Sequence, residues 1–256
     1  MSTPDEIQIT INGSTLDAGF FRPTGAEKTQ ITVIYCPGFP GNITTSRKIS
    51  EAFSQKGYSS IYFDYRGIRA SEGTLNFIEQ VDDLKAIVSY AKDSIKGKVV
   101  VVGHGFGGRL AICTTASDLR IDGCIVWECL GDTREELKTI TSHVDWKIYS
   151  AVWVRDVKGK NNIIEKLRTA ADSLNPLECV KKIAPRPVLI IHQKHDPMVK
   201  VSNAYELEKT AVEPKTLIIH NGWMHSDEDS FFTSPLRNDG CITLTDNWIK
   251  SNILTI

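Results

Sequence analysis

The segment Val99-Val100-Val101-Val102-Gly103-His104-Gly105-Phe106-Gly107-Gly108-Arg109 decides the architecture. Four valines in a row suit a strand buried on both faces. The glycines that follow make a tight turn, and a helix-compatible stretch starts at Arg109. The same order of strand, turn and helix recurs on either side. Upstream, Ile31–Tyr35 is a short apolar run, Ser46–Gln55 reads as a helix, and the strand Ser59–Phe63 stops at Asp64-Tyr65-Arg66-Gly67. Phe77, Val81, Leu84, Val88 and Ala91 repeat at helical spacing, which predicts an amphipathic helix over 75–94. Downstream come the strand Gly123–Trp127, the strand Pro187–Ile191, a helix over Asn203–Ala211, the strand Thr216–His220 and a closing helix Cys241–Ser251. The chain opens as a hairpin, Ile7–Ile11 and Ser14–Phe21, turned by Asn12-Gly13. Strands alternating with helices require an α/β domain: a mostly parallel sheet covered on both faces, with its site at the carboxyl ends of the strands.

The alternation breaks between Cys129 and Ala184. This stretch reads as mainly helical and carries Trp146 and Trp153. The expectation is a core made of residues 1–128 and 185–256, with 129–184 inserted over the sheet as a small lid.

Composition narrows the partners. Thirty basic and thirty-one acidic side chains in 256 residues give a net charge of −1, so no field draws in nucleic acid or an anionic membrane. No apolar run of about 18 residues is present, and the polar start Met1-Ser2-Thr3-Pro4-Asp5-Glu6 has no apolar stretch after it. The six cysteines lie mostly in apolar segments without CxxC spacing, as reduced thiols of a cytoplasmic protein do, and they do not suggest a metal site. A small-molecule ligand is expected, with no cofactor.

Four loops leave the carboxyl ends of strands, and each holds residues able to do chemistry. Gly103-His104-Gly105-Phe106-Gly107 has the frame of a nucleophile elbow, G-x-S-x-G, with the central hydroxyl missing. Asp196, in His192-Gln193-Lys194-His195-Asp196-Pro197-Met198-Val199, can orient an imidazole, and Gly222-Trp223-Met224-His225 offers one. Elbow, acid, histidine is the chain order that such a triad takes on an α/β sheet. Pro37-Gly38-Phe39 can aim the backbone N–H of Phe39 at a developing oxyanion, with the N–H of Phe106 as second donor.

From about residue 30 to 230 the chain resembles the α/β-hydrolase superfamily, in particular compact esterases of the feruloyl-esterase or acyl-thioesterase type. Their signatures are similar to "HGF", "DxRGxGxSxG", "GHSxGG", "HGxxDxxV" and a late histidine. Asp64-Tyr65-Arg66-Gly67 and Ser71-Glu72-Gly73 fit, whereas Arg69 stands where that pattern has glycine, Cys36-Pro37 replaces the leading histidine, and Gln193 replaces a glycine. The resemblance implies an α/β-hydrolase fold with a lid, a small acyl ester or thioester as ligand, and Asp196 and His225 as acid and histidine. Trp146, Trp153, Trp223 and Met224 are candidate pocket residues, with core packing as their alternative. Gly105 stands at the nucleophile position, so nucleophile chemistry does not carry over.

Other readings compete. Gly103, Gly105 and Gly108, with Glu128 twenty residues beyond, also satisfy the dinucleotide fingerprint. That fingerprint normally opens its domain, whereas four strands precede it here, and it leaves Phe39, Asp196 and His225 unexplained. His104, His192, His195 and His220 read as structural, and neither Cys36 nor Cys113 occupies the elbow tip. A missing hydroxyl leaves three functional possibilities: an inactivated ester or thioester hydrolase, a ligand-binding pseudoenzyme, or an enzyme in which His225 and Asp196 act as a general base on water or a C–H bond.

Overall fold

A computed structural model describes residues 3–39, 41, 43–134, 160–221 and 236–254. Among these, eight strands form one sheet: β1 (Asp5–Ile11), β2 (Ser14–Phe21), β3 (Ile31–Cys36), β4 (Ser59–Phe63), β5 (Lys98–His104), β6 (Gly123–Trp127), β7 (Val188–Gln193) and β8 (Lys215–His220). Their spatial order is β1-β2-β4-β3-β5-β6-β7-β8. The first three in space pair antiparallel, and β4, β3, β5, β6, β7 and β8 run parallel. The opening hairpin turns on Asn12 and Gly13, at φ 50° and 80°, the signs that a two-residue loop matching the strand twist requires.

The described helices are α1 (Ile43–Gln55), α2 (Gln80–Tyr90), α3 (Phe106–Ser117), α4 (Lys160–Ser173), α5 (Pro176–Val180), α6 (Ser202–Thr210) and α7 (Leu236–Asn252). Alternate residues of the central strands feed two apolar layers. Val99 and Val101 pack with Leu84, Leu110 and Ile112 of α2 and α3. Val100 and Val102 pack with Ile49 and Phe53 of α1 and with Ile249 of α7. A run of β-branched residues is thus read twice, once by each layer.

Several helix boundaries differ from the sequence expectation, among them an earlier start for α1, at Ile43, and for α7, at Leu236. The helix expected from residue 75 begins at Gln80, because the Asn76 side chain accepts from the N–H groups of Ile78 and Glu79 and holds a turn there. At its other end it passes into a π-helical turn, Ala91–Ile95, before Gly97. The helix after the valine strand begins at Phe106, three residues before Arg109. Of the expected lid, 135–159 lie outside the described residues. The part that follows does more than cover the sheet: Ile163, Leu167 and Ala170 of α4 belong to the same buried cluster as Val99 and Leu110.

Candidate active site

Gly105 occupies the tip of the turn between β5 and α3 at φ 51°, ψ −117°. This backbone conformation strains any residue with a Cβ. Its N–H donates to the carbonyl of Trp127 at 2.8 Å, which ties the turn to the end of β6. The flanking glycines allow the crossing, since a Cβ on Gly107 would collide with the carbonyl oxygens of Cys36 and Pro37.

The loop after β3 meets the elbow through aromatic rings. Phe39 lies 5.5 Å from Phe106 and 5.1 Å from Phe77, and Phe77 lies 5.3 Å from Phe106, centroid to centroid. The three rings bring the β3 loop against the first turn of α3, where helix N–H groups have no partner within the helix. The Arg109 guanidinium sits 4.0 Å above the Phe106 ring, and the residue is completely buried.

Behind this loop stands a polar brace. The Tyr65 hydroxyl donates to the Pro37 carbonyl at 2.6 Å. Arg69 donates to the Gly41 carbonyl and, at 3.2 Å, to both oxygens of Asp64. Ser71 donates to the Asp64 carbonyl, and Arg66 forks onto Asp83 at 3.0 and 2.8 Å. Arg69 has φ 45°, which explains why a glycine suits this position. An arginine there costs about 1–2 kcal/mol and returns a guanidinium that joins the brace to the loop. Burial pushes the Asp64 carboxyl up to about 6 against the opposing pull of Arg69.

On the far side of the elbow, the Asp196 carboxylate is buried just past β7. One oxygen accepts from the N–H groups of Met198 and Val199 at 2.7 and 2.8 Å, which folds the loop back on itself. The other lies 3.9 Å from Nε2 of His192, and that nitrogen is 2.9 Å from the carbonyl of Val199. The fold therefore brings Gly105, Phe39 and Phe106 together and places Asp196 two strands away from Gly105, past the same carboxyl end of the sheet. His225, Trp223, Met224, Trp146 and Trp153 lie outside the described residues.

Residues 31–128 match the family model for the α/β hydrolase fold, from the start of β3 to the residue after β6. The chain has the α/β-hydrolase fold. It is 23% identical to the uncharacterized protein YfhR of Escherichia coli (strain K12) over 229 residues, 87% of this chain and 74% of that one. Among solved structures it is similar to Est1E from Butyrivibrio proteoclasticus with ferulic acid bound, at TM-score 0.75 and 18% identity, covering 97% of this chain and 99% of that one. It is also similar to the Pyrococcus furiosus esterase Pf2001, at TM-score 0.72 and 18% identity, covering 97% and 92%.

Other features of this α/β-hydrolase-fold site do not follow from motif spacing. His104 was expected to be a packed turn residue and Glu128 entered only through the dinucleotide fingerprint, yet Nε2 of His104 lies 3.0 Å from the Glu128 carboxylate. Both are nearly buried, and Glu128 holds φ 50°. Arg109 did leave a trace, as the one charged residue in the otherwise apolar or small Phe106–Ser117 helix. Neither Cys36 nor Cys113 is an activated thiol that could replace the missing hydroxyl. Burial pushes Cys36 well above the ordinary value, and a hydrogen bond with Cys179, then burial, does the same to Cys113. Among the described residues no group of three or more His, Cys, Asp or Glu could hold a metal ion, and no helix is long and apolar enough to cross a membrane.

Proposed function

We propose that this chain descends from carboxylic-ester or thioester hydrolases and holds a small acyl ester at the elbow without forming an acyl-enzyme. One observation carries this reading: the elbow is built at φ 51° on a residue with no side chain, so the strained turn persists without its attacking oxygen. In this reading the N–H groups of Phe39 and Phe106 receive the carbonyl oxygen. Asp196 and His225 are the retained acid and imidazole, and Trp146, Trp153, Trp223 and Met224 line the acyl pocket beneath a lid formed from 129–184. Est1E, with ferulic acid bound, and the esterase Pf2001 support the choice of ligand class. Six free cysteines fit a reducing, cytoplasmic setting, and no cofactor is invoked.

A serine hydrolase stripped of its serine loses about 10⁶ in turnover, while oxyanion donors and binding retain roughly 10³–10⁴ over water. Slow turnover without a burst is therefore expected of the native chain. The experiment is Gly105→Ser assayed with 4-nitrophenyl butyrate: a burst of one nitrophenolate per chain, absent from the native protein, is the expected result. A folded variant that shows neither burst nor faster turnover overturns the proposal.

A further inference from the structure

Three thiols gather at α3, the helix that the elbow leads into. Cys113 sits on the helix itself, about two turns past Gly105. Cys129, just after β6, fills the space over Gly108, where an added Cβ would come within 2.5 Å of its sulfur. Cys179 comes from α5, which packs against α3, and its thiol is hydrogen-bonded to that of Cys113. No disulfide joins any of the three.

The contact between Cys113 and Cys179 follows from how the chain is tied down around it. Asn175 caps α5 by accepting from the N–H of Leu177, and its amide donates to Asp132 at 3.0 Å. The Thr133 hydroxyl donates to the Leu174 carbonyl at 3.2 Å. Past α5, the Arg186 guanidinium donates to the carbonyls of Asp118 and Ile121, just beyond α3, at 2.8 and 3.2 Å. One strap thus fastens the start of α5 to the residues after β6, and another fastens the chain after α5 to the end of α3. Two sulfurs held in this way have a high local concentration for each other, and a bond between them needs only a small closing movement.

The two thiols are unequal. Cys113 is buried, whereas Cys179 is partly exposed. The hydrogen bond from Cys113 lowers the Cys179 thiol below its ordinary value against the effect of burial, and the charges of Lys182 and Arg109 pull the same way. A reachable sulfur with thiolate character beside a buried resolving thiol separates redox-responsive cysteines from inert core ones. Such pairs operate in reducing compartments as well, where their disulfides are transient.

We propose that Cys113 and Cys179 are a redox modification site, closing to a reversible disulfide in response to a hydroperoxide and so bonding the elbow helix α3 to α5. The Cys179 thiolate attacks one peroxide oxygen, the O–O bond breaks, and the departing hydroxide or alkoxide takes up a proton, leaving a sulfenic acid on Cys179. The Cys113 sulfur then bonds to the Cys179 sulfur, the S–O bond breaks, and the hydroxide leaves as water with the Cys113 proton. The two sulfurs are oxidised by two electrons in all and the peroxide is reduced by two. A dithiol reverses the change by exchange. The bond closes a chain loop that contains residues 114–178, so the end of the 129–184 segment becomes covalently fixed to the helix that starts at the elbow.

The test treats the folded native chain with hydrogen peroxide, then unfolds it in urea with an alkylating agent and weighs it intact and as peptides. The expected result is loss of two of the six alkylatable thiols, a cross-linked peptide pair carrying Cys113 and Cys179, and recovery of both thiols by dithiothreitol. The oxidised chain should melt roughly 5 °C higher than the reduced one. Cys179→Ser should lose both the cross-link and the thermal shift. Cys113→Ser should stop at a sulfenic acid on Cys179, which dimedone traps, and Cys129→Ser should still cross-link. Cys113→Ala and Cys179→Ala are prepared beside the serine variants, so that a folded protein reports for each position. A folded native chain that keeps all six thiols at a peroxide dose that oxidises the urea-unfolded chain overturns the proposal. So does a cross-link to another cysteine or between chains, or one that persists in a folded Cys179 variant. None of these results bears on the ester reading, whose own test is the burst from Gly105→Ser.

Discussion

Gly105 and Glu128 end neighbouring strands of one sheet at almost the same torsion, φ 51° and 50°, yet one has no side chain and the other a long charged one. At the elbow, glycine removes the strain and the chemistry together. At the end of β6 the strain is kept, and what it retains is a carboxylate 3.0 Å from His104. A fold can give up a nucleophile at no conformational cost where the backbone already favours glycine. It holds an unfavourable torsion where a side chain still has a partner.

The largest way to disturb this contrast is to restore the side chain to the relaxed member. Gly105→Ser should raise nitrophenyl-ester turnover by on the order of 10³-fold if the remaining machinery is in place, at a stability cost of about 1–3 kcal/mol for a Cβ at positive φ. Stopped-flow bursts and a urea melt read the two effects separately. A gain in activity with no loss of stability would show that the turn was never strained at this position.

The brace behind the β3 loop carries the next effect. Burial holds the Asp64 carboxyl at about 6 in the fold, above the ordinary aspartate value near 3.8. The folded chain therefore binds its proton more tightly than the unfolded chain. Stability from this group is fully present below pH 3.8 and is lost as pH rises through 6. The rise to about 6 corresponds to about 3 kcal/mol. Asp64→Asn should remove that fall, so that the difference in unfolding free energy between variant and native chain moves in the variant's favour from pH 4 to pH 7. A difference that does not change with pH sinks the assignment.

The strained member of the comparison can be relaxed as the other was loaded. Glu128→Gly frees the torsion, worth about 1 kcal/mol, but strips a buried partner from His104. Breaking a buried pair from one side costs about 3–5 kcal/mol, at the low end when the survivor can become neutral. The expected net loss is about 2 kcal/mol by chemical denaturation. A stabilised variant would mean that the pair contributes nothing and that the torsion was only a burden.

What could be read in advance follows from how local the information is. Ser59–Phe63 and Gly123–Trp127 match the strands residue for residue, because short apolar runs bounded by polar or glycine-containing turns state their own ends. The start of α2 was misplaced because a single side chain, Asn76, reserves two backbone donors for a turn, and periodicity does not register that. The elbow could be read because its glycines are contiguous. The pairing of His104 with Glu128 could not, since the two residues are 24 apart in the chain and meet only through the register of β5 on β6. Arg69 was visible as a departure from pattern, but its bridge from Asp64 to Gly41 depends on three separate segments.

Arg69 offers the finest adjustment, because it combines both sides of the comparison: φ 45°, as a glycine would have, and a charged side chain that is used. Arg69→Gly relieves about 1 kcal/mol of strain while removing the group that pulls the Asp64 carboxyl down. The two effects separate with pH. Near pH 4, where Asp64 is protonated in the fold and needs no cation, the relief dominates and the variant should equal or slightly exceed the native chain. Near pH 8, where the carboxylate must ionise without its partner, the variant should lose about 1 kcal/mol relative to its standing at pH 4, the upper value for an ion pair with one partly exposed member, and fall to or below the native chain. Paired urea melts at the two pH values measure this change. If the difference in stability is the same at both, the guanidinium acts on the Gly41 loop alone, and the charge of Asp64 plays no part in holding the oxyanion loop against the elbow.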